Sequence, residues 1–363
     1  MWTRTYGKTG KEISIIGFGA MQFPHPEKID EMAELVVYAH QQGINYFDTA
    51  PGYCQDKSEI ILGAAFKHMK PGSFYVSTKS AKPDGDELRK DLEQSLQRMG
   101  LEKIHFFHIW CIVTLDTWRE RLDGGAVAAA IKAKEEGLIE HLAVSSHLPG
   151  DQLAEMLKEA PFEGVTLGYC AINFPYRQKG LDLAGRRNLG VATMNPLGGG
   201  LIPQNAERFD FIREPDDCSV VSAALRFNVS HPAVTCALVG FSEKEHIDQA
   251  VAAVEEFTPY SKTHIRKIRK KILNSFNDLC TGCQYCLPCP AGLDIPRLME
   301  AYNWRILWDD PGRITQRLAW HWGMKPEIAQ TCTLCGACEE RCTQHIPIQD
   351  RMKFIASLAE EEE

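Results

Sequence analysis

Eight of the thirteen cysteines lie in two closely spaced runs near the carboxyl end of the 363-residue chain. These runs are Cys280-x-x-Cys283-x-x-Cys286-x-x-Cys289-Pro290 and Cys332-x-x-Cys335-x-x-Cys338-x-x-x-Cys342. At this spacing three thiolates wrap around one cube of four irons, and a fourth thiolate comes from elsewhere in the chain. Zinc is the alternative, but structural zinc sites usually pair two short knuckles across a spacer. The spacing therefore predicts two 4Fe-4S clusters.

The two runs resemble those of dicluster ferredoxins, in which the fourth cysteine of each run binds the other cluster. The resemblance implies one cluster on Cys280, Cys283, Cys286 and Cys342, and a second on Cys332, Cys335, Cys338 and Cys289. Two departures concern the fourth ligands: the first run has one residue fewer before its last cysteine, and Thr343 replaces the usual proline. The segment between the runs is aromatic-rich and helical in pattern, similar to the helical ferredoxin modules of fumarate-reductase-type enzymes.

Composition limits the setting in which these cysteines act. The amino-terminal sequence is polar, so we expect no secretory signal, and no apolar run approaches the ~18 residues of a membrane span. We therefore expect a cytoplasmic protein whose clustered cysteines bind metal rather than form disulfides. The formal net charge of −8 argues against nucleic acid or an anionic membrane as the main partner.

The elements that position this chemistry follow from the hydrophobic pattern. Apolar β-like runs alternate with amphipathic helical patterns, which is typical of repeated βα units. Strands are predicted over 13–18, 44–48, 74–79, 104–110, 141–145, 165–171, 191–195 and 234–239. Eight such units over about 250 residues predict a (β/α)8 TIM barrel. A doubly wound sheet is the alternative, but the turn after the first strand lacks the third glycine of G-x-G-x-x-G.

Three regions are predicted along the chain. The barrel covers 1–260, a basic helical connector covers 261–278, and a small, mainly helical 4Fe-4S domain covers 279–363. The connector carries six Lys and Arg residues between Lys262 and Lys271. We interpret them as a solvated face, with a binding patch as the alternative.

A second set of chemical residues follows the predicted barrel strands. Asp48 ends the second strand and Tyr53 follows it, Lys79 ends the third strand, and His108 lies near the end of the fourth. A free phenol has a pKa near ~10, and a neighbouring ammonium favours the phenolate, so Tyr53 beside Lys79 forms a candidate acid for protonating a carbonyl oxygen. Asp48 would keep the lysine charged and oriented, and His108 would donate a hydrogen bond to the same oxygen.

These residues, with Gly7-Lys8-Thr9-Gly10 and Ile16-Gly17-Phe18-Gly19 at the start of the chain, resemble the aldo-keto reductase family. The whole chain is similar to the branch of that family with a C-terminal ferredoxin-like module. In the family, the fourth strand commonly reads Asp-x-x-x-x-His. His105 stands at the aspartate position of this pattern. The histidine position is Trp110, so two alternatives stay open: His108 fills the role, or Trp110 shapes a pocket without a second donor.

The resemblance also implies a nicotinamide site, NADP or NAD, at the ends of later strands. Ser145 and Ser146 stand where the family has a Ser-Asn pair, and Met194 stands where an aromatic ring stacks on the nicotinamide. Further matches are Tyr169, Asn173, Asn195, Pro196, Leu197 and Gly198. The segment for the adenosine phosphate is Gly240, Ser242, Lys244 and His246. His246 replaces a common arginine, so the preference for NADP over NAD stays open.

The two halves together allow three hypotheses. In the first, the barrel interconverts a small carbonyl substrate and its alcohol while the clusters exchange electrons with a protein such as ferredoxin. In the second, a conventional NAD(P)H-dependent reductase carries structural or oxygen-sensing clusters. In the third, the chain is a non-catalytic electron-relay or binding subunit. A nicotinamide moves two electrons and a cluster one, so the first hypothesis calls for an electron splitter, for which a bound flavin is a candidate.

Overall fold

The chain forms two compact units. The computed structural model describes residues 1–256, 258–276 and 278–359, apart from the side chains of Tyr176, Trp320 and His321. The first unit comprises Met1–Leu197 and Ile212–Ser261, and the second comprises Gly198–Phe211 and the chain from Lys262 onward. Ser261 of the predicted basic connector belongs to the first unit, and its described residues from Lys262 onward belong to the second unit, which also takes a segment from within the predicted barrel region. No helix among the described residues has both the length and the apolar character needed to cross a membrane.

The first unit is a closed barrel of eight parallel strands preceded by a short antiparallel hairpin. The hairpin pairs β1 (Thr3–Thr5) with β2 (Glu12–Ser14). The barrel strands are β3 (Ile16–Gly19), β4 (Tyr46–Asp48), β5 (Tyr75–Ser80), β6 (Ile104–Ile112), β7 (Ile139–Ser146), β8 (Gly164–Gly168), β9 (Gly190–Met194) and β10 (Cys236–Val239). Each pairs with the next, and β10 closes on β3. The predicted barrel is confirmed, although the first predicted strand divides between β2 and β3.

Helices connect the barrel strands. They are α1 (Ile29–Gln41), α2 (Ser58–Phe66), α3 (Gly85–Met99), α4 (Leu115–Asp123), α5 (Ala126–Glu135), α6 (Gly150–Met156), α7 (Phe174–Arg186), α8 (Leu201–Gln204), α9 (Ala206–Phe209), α10 (Val220–Ser230) and α11 (Lys244–Glu255). Helix α3 shows how the sequence specifies them. The Asp84 side chain caps its first turn by accepting two backbone N–H bonds, and Leu88, Leu92 and Met99 bury one face. Helices α8 and α9 belong to the segment that joins the second unit.

The rest of the second unit is mainly helical. It contains α12 (Lys262–Ser275), α13 (Ile295–Trp308), α14 (Gly312–Trp322), α15 (Ala337–Glu340) and α16 (Ile348–Ser357), with a 3-10 helix at Pro326–Thr331. Its core is built from fully buried aliphatic side chains such as Leu298, Ile314, Leu318, Met352 and Ile355. Cysteines of both runs pack against this core or lie in it. The predicted mainly helical character of this domain is confirmed.

Candidate functional site

Asp48 and Lys79 form a buried ion pair at the carboxyl ends of β4 and β5. The Lys79 Nζ donates to Asp48 Oδ1 at 2.6 Å and to the Thr49 carbonyl at 2.6 Å. Ser77 Oγ donates to the second carboxylate oxygen of Asp48 at 2.5 Å. Asp48 and Lys79 are 5% and 2% exposed, so the pair is held away from water, and three hydrogen bonds fix its geometry. Burial at this depth makes the loss of either partner expensive, about 3–5 kcal/mol.

Tyr53 lies beside this pair in the turn that follows β4. The Lys79 Nζ stands 5.2 Å from the centre of the Tyr53 ring, and the ring is half-buried. The turn is strained, because Cys54, Gln55 and Asp56 all have positive φ of 52°, 58° and 65°. Each such residue costs of order 1–3 kcal/mol and persists only where the surrounding structure holds it in place. This backbone strain directly follows Tyr53, whose ring faces the buried Lys79 ammonium. The combination supports a functional role for the turn.

Trp110 contacts Tyr53 directly. The two ring centroids are 5.4 Å apart with the planes at 87°, an edge-to-face arrangement. Strand β6 carries a register shift between Ile109 and Ile112, and Cys111 has φ of 60°. A bulge of this kind re-aims the neighbouring side chain. Trp110 therefore lies against Tyr53, and the choice between His108 and Trp110 for the fourth position of the active site stays a prediction.

His108 lies deeper, paired in register with Lys79 on β5. Its side chain is fully buried, and its Nε2 shares a hydrogen bond of 2.9 Å with Thr166 Oγ1. Burial, followed by the charge of Lys79, lowers the pKa of His108 to about 4. The imidazole is therefore neutral at pH 7, and one ring nitrogen is engaged inside the barrel.

Several residues of the expected nicotinamide site end barrel strands at the same face. Ser146 is the last residue of β7 and Met194 the last of β9. Ser145 and Ser146 are buried, and the Ser146 hydroxyl accepts the Leu148 N–H at 3.2 Å. The carboxyl-end face is where barrel enzymes carry their chemistry. The structure thus brings these strand ends to the face that also holds Asp48.

The residues after β8 and β9 have different surroundings. The Tyr169 ring is buried in an aromatic cluster, stacked on Phe227 with centroids 5.8 Å apart. Asn173 is also buried, and its side-chain oxygen accepts the Cys170 N–H at 2.9 Å. After β9, Asn195 adopts φ of 56° and the turn continues through Pro196, Leu197 and Gly198.

The expected adenosine-phosphate segment is an exposed turn at the start of α11. Gly240 directly follows β10, and Ser242, Lys244 and His246 are all exposed. Lys244 lies over the Tyr38 ring at 5.1 Å, and the His246 Nε2 is 3.1 Å from Glu243. Amide groups at the start of this 12-residue helix, together with Lys244, form a favourable setting for a phosphate.

In the second unit, burial affects the thiols of Cys280 and Cys286, two of the four cysteines that the first cluster was expected to use. Burial raises the pKa of Cys280 to about 12, and the charges of Cys283, Cys342 and Cys286 add to the effect. Burial likewise raises the pKa of Cys286 to about 12. A bound metal would offset the free-energy cost of ionising these buried thiols, because metal coordination deprotonates the thiol.

Two polar residues that sequence patterns did not identify support this set. The fully buried Asn303 braces Cys280 on both sides: its Oδ1 accepts the Cys280 N–H at 2.8 Å, and its Nδ2 donates to the Cys280 carbonyl at 2.7 Å. The Thr343 hydroxyl lies 3.1 Å from Cys283 Sγ. An asparagine within a helical pattern carries no motif, so only the fold reveals its role.

The cysteines that were expected to bind the second cluster are more exposed to solvent than those of the first. Burial raises the pKa of Cys338 to about 11, with a contribution from Cys332. Cys289 is half-buried against the same core, whereas Cys335 is exposed. Among the described residues, no group of three or more His, Cys, Asp or Glu side chains is arranged to hold a metal ion. A cube offers a separate iron to each thiolate, so its ligands need not converge on one point.

Comparison with known proteins matches both units. The chain from 15 to 273 matches the aldo/keto reductase family, and 277–346 match a 4Fe-4S dicluster domain. L-galactose dehydrogenase of Arabidopsis thaliana is 27% identical over 285 residues, covering 70% of this chain and 88% of that protein. D-threo-aldose 1-dehydrogenase of a Pseudomonas species is 23% identical over 298 residues, covering 66% and 89%.

Solved structures show the same fold. The holo form of an aldo-keto reductase from Bacillus halodurans has a TM-score of 0.64 at 22% identity, covering 74% of this chain and 96% of that one. A thermostable aldo-keto reductase in complex with the inhibitor epalrestat also has a TM-score of 0.64, at 20% identity, covering 74% and 99%. The protein therefore belongs to the aldo/keto reductase family, and in this chain the family's barrel is followed by a 4Fe-4S dicluster domain.

Proposed function

We propose that the protein is an iron–sulfur oxidoreductase that interconverts a carbonyl and an alcohol in its barrel and exchanges electrons through two clusters. The observation that carries this proposal is the buried Asp48–Lys79 pair beside Tyr53, in a chain that also carries a 4Fe-4S dicluster domain. An ion pair alone has a structural explanation. A phenol placed beside its ammonium at the carboxyl-end face supports catalysis instead.

Tyr53 is the proposed proton donor and acceptor for the substrate oxygen. The Lys79 ammonium beside the ring stabilises the negative charge that develops on the Tyr53 oxygen as its proton passes to the substrate. Asp48 and the Thr49 carbonyl fix the ammonium, and Trp110 limits the positions of the Tyr53 ring. His108 is neutral at pH 7 and hydrogen-bonded to Thr166. Its proposed role is therefore to maintain the polar interior of the barrel.

The remaining proposed contacts hold the cofactors. A nicotinamide supplies or accepts hydride when bound; Ser145, Ser146, Tyr169 and the 194–198 segment would hold its ring, and the 240–246 segment its phosphate. Clusters would supply one-electron transfer when bound, with Cys280, Cys283, Cys286 and Cys342 as one ligand set and Cys332, Cys335, Cys338 and Cys289 as the other. One hydride equals one proton and two electrons, one for each cluster, and a bound flavin is the proposed group that divides the pair. Thiolate ligands persist in a reducing compartment, so the proposal places the enzyme in the cytoplasm.

Sugars are the first substrates to assay. Two relatives are named as dehydrogenases of L-galactose and of D-threo-aldose, and both names denote oxidation of a sugar. An aldose offers the carbonyl and alcohol pair that Tyr53 is proposed to serve. The assay should therefore begin with these sugars and their lactones, in both directions.

One experiment tests the coupling of the two units. After anaerobic purification, iron, sulfide and flavin are quantified, and the visible and EPR spectra of the clusters are followed while NADH, NADPH and then a sugar are added. We expect the nicotinamide or the substrate to change the redox state of the clusters. If carbonyl reduction proceeds while the clusters never respond, the conventional reductase with structural clusters is the correct function.

A matched pair of variants tests the barrel chemistry. Tyr53→Phe should lose carbonyl–alcohol turnover by at least about 100-fold, the usual share of general acid catalysis, while nicotinamide binding is retained. Tyr75→Phe removes the same hydroxyl from the neighbouring strand β5 and should leave turnover unchanged. Full activity in Tyr53→Phe would show that another group delivers the proton, and inactivity of both variants would show a general loss of structure.

A further inference from the structure

Helix α12, in the unit that carries the cysteine runs, is strongly basic. Its sequence, KTHIRKIRKKILNS, contains six Lys and Arg residues and no Asp or Glu. Five of these cations are exposed, namely Lys262, Arg266, Lys267, Lys270 and Lys271. The chain as a whole is acidic, with a formal net charge of −8. The helix is therefore a local positive surface on a negative protein.

The five exposed cations of α12 form few contacts with the residues that the structure describes. None of the five exposed cations forms an ion pair with a residue that the structure describes; Arg266 donates to the Thr263 hydroxyl, and Lys271 lies over the Phe276 ring at 5.7 Å. Surface charges without partners add nothing to the stability of a monomer, and they repel one another. Their field is directed to solvent, where it attracts negatively charged molecules.

The opposite face of α12 is already covered. His264, Ile268 and Ile272 are buried, the two isoleucines completely. Leu273 is the exception, with 44% of its surface exposed beside Lys270 and Lys271. Protein interfaces combine an apolar centre with a polar rim, and Leu273 with the lysines around it has this arrangement on a small scale. A membrane-bound amphipathic helix would instead need its apolar face free to insert.

The helix also leads directly into the first cysteine run. It ends at Ser275, and Cys280 follows five residues later. Five residues of extended chain span at most about 18 Å, so the end of α12 stays close to the first ligand set. A protein bound to this helix is therefore brought near a cluster rather than near a remote surface.

We propose that α12 is the docking surface for a small acidic protein that carries single electrons. This inference rests on the proposed function, because it supplies the one-electron partner that the clusters require. In each encounter one electron leaves the reduced carrier and enters the iron–sulfur domain, so the carrier is oxidised by one electron and a cluster is reduced by one. No bond forms and no proton moves. The lysines steer the encounter, and Leu273 provides the apolar contact.

The test compares two charge-matched triple variants of the holoenzyme. Lys267→Glu/Lys270→Glu/Lys271→Glu reverses the charge of α12. Lys67→Glu/Lys70→Glu/Lys90→Glu makes the same change in net charge at exposed lysines of the first unit. Both are mixed anaerobically with a reduced plant-type [2Fe-2S] ferredoxin, and stopped-flow absorbance follows cluster reduction at increasing salt. Binding of the oxidised ferredoxin is measured in parallel by NMR titration.

We expect the α12 variant to accept electrons about 10- to 100-fold more slowly than wild type at low salt, the range of electrostatic steering. The difference should vanish near 1 M salt, where the Debye length is about 3 Å. The control triple should stay within about twofold of wild type. Equal slowing of both variants would assign the effect to net charge, and an unaffected α12 variant would overturn the docking surface.

Two further outcomes separate this inference from the proposed function. If the ferredoxin binds wild type and not the α12 variant, docking stands even when nicotinamide fails to reduce the clusters. If neither variant nor wild type binds the carrier, while the α12 variant alone loses binding to phosphatidylserine vesicles or to RNA, the helix serves that other anion and the proposal is wrong. Unchanged cluster absorbance and far-UV circular dichroism establish that the variants are folded.

Discussion

Gly199 is the position at which a single methyl group should disturb the first cysteine run. It lies in the segment Gly198–Phe211 that belongs to the second unit, and it has φ of 68°. A Cβ built at Gly199 would fall within 3.0 Å of the Thr281 carbonyl oxygen, closer than real Cβ atoms approach. Thr281 directly follows Cys280, so relief of the clash must move either the glycine segment or the cysteine loop.

The expected cost of Gly199→Ala has two parts. An alanine in left-handed backbone costs about 1–2 kcal/mol. Forcing a methyl group into a packed contact typically costs a further 1–3 kcal/mol or so. Gly323→Ala isolates the first part, because Gly323 has φ of 59° and a Cβ there meets nothing within 4 Å. The difference between the two variants therefore measures the close approach itself.

Anaerobic calorimetry and cluster analysis provide the readouts. Each kcal/mol lowers the Tm by about 2–4 °C in a domain of moderate size, so Gly199→Ala should unfold several degrees below Gly323→Ala. Gly199→Ala should also lose iron faster and show an altered EPR signal, because Thr281 is displaced next to Cys280. Identical Tm values and spectra for the two variants would refute the close packing of this segment against the first cysteine run.

Three further predictions address single contacts. Trp110→Ala should lower kcat about tenfold by freeing the Tyr53 ring, whereas Trp110→Phe keeps an aromatic edge and should retain most activity in the same steady-state assay. Asn303→Ala removes both hydrogen bonds to Cys280 and should cost about 1–3 kcal/mol for the unsatisfied groups, seen as a lower Tm with intact barrel activity. His108 has a folded pKa of about 4 against about 6.5 unfolded, so unfolded chains bind the extra proton and stability falls as pH drops from 6.5 to 4. Replacing it in His108→Gln should remove up to about 1.4 kcal/mol per pH unit of that slope, measured by urea unfolding between pH 7 and 5; an unchanged slope would show that His108 is already charged in the fold.

The barrel was predictable because its signals are local. Each of the eight barrel strands overlaps a predicted apolar run; Asp48 ends β4, and Lys79 is the last residue but one of β5. The region around Trp110 was not predictable in the same way. Counting along a strand assumes a period of two, and the bulge at Cys111 breaks that period without a glycine or proline to mark it.

The boundary of the second unit depends on contacts between distant parts of the chain. Arg208 lies over the Trp308 ring at 3.5 Å, and the Phe211 ring stacks on Phe276 at 5.4 Å. Both contacts join the 198–211 segment to residues about seventy to one hundred positions later. Composition and periodicity report on neighbours within a few residues, so no sequence pattern assigns this segment to the cysteine-rich unit.

The segment that follows β9 lies where the chain passes from the first unit to the second. Met194 ends β9, and the proposed nicotinamide segment runs to Gly198, where the second unit begins. The very next residue is the one whose Cβ would meet Thr281. The proposed nicotinamide segment and the residue that packs against Thr281 are therefore neighbours along the chain. Gly199→Ala consequently changes a residue next to the proposed cofactor segment as well as the first cysteine run. Its effect on nicotinamide affinity should therefore be measured beside its effect on the clusters, because a change in affinity alone would place the disturbance before Gly198 and not at Thr281.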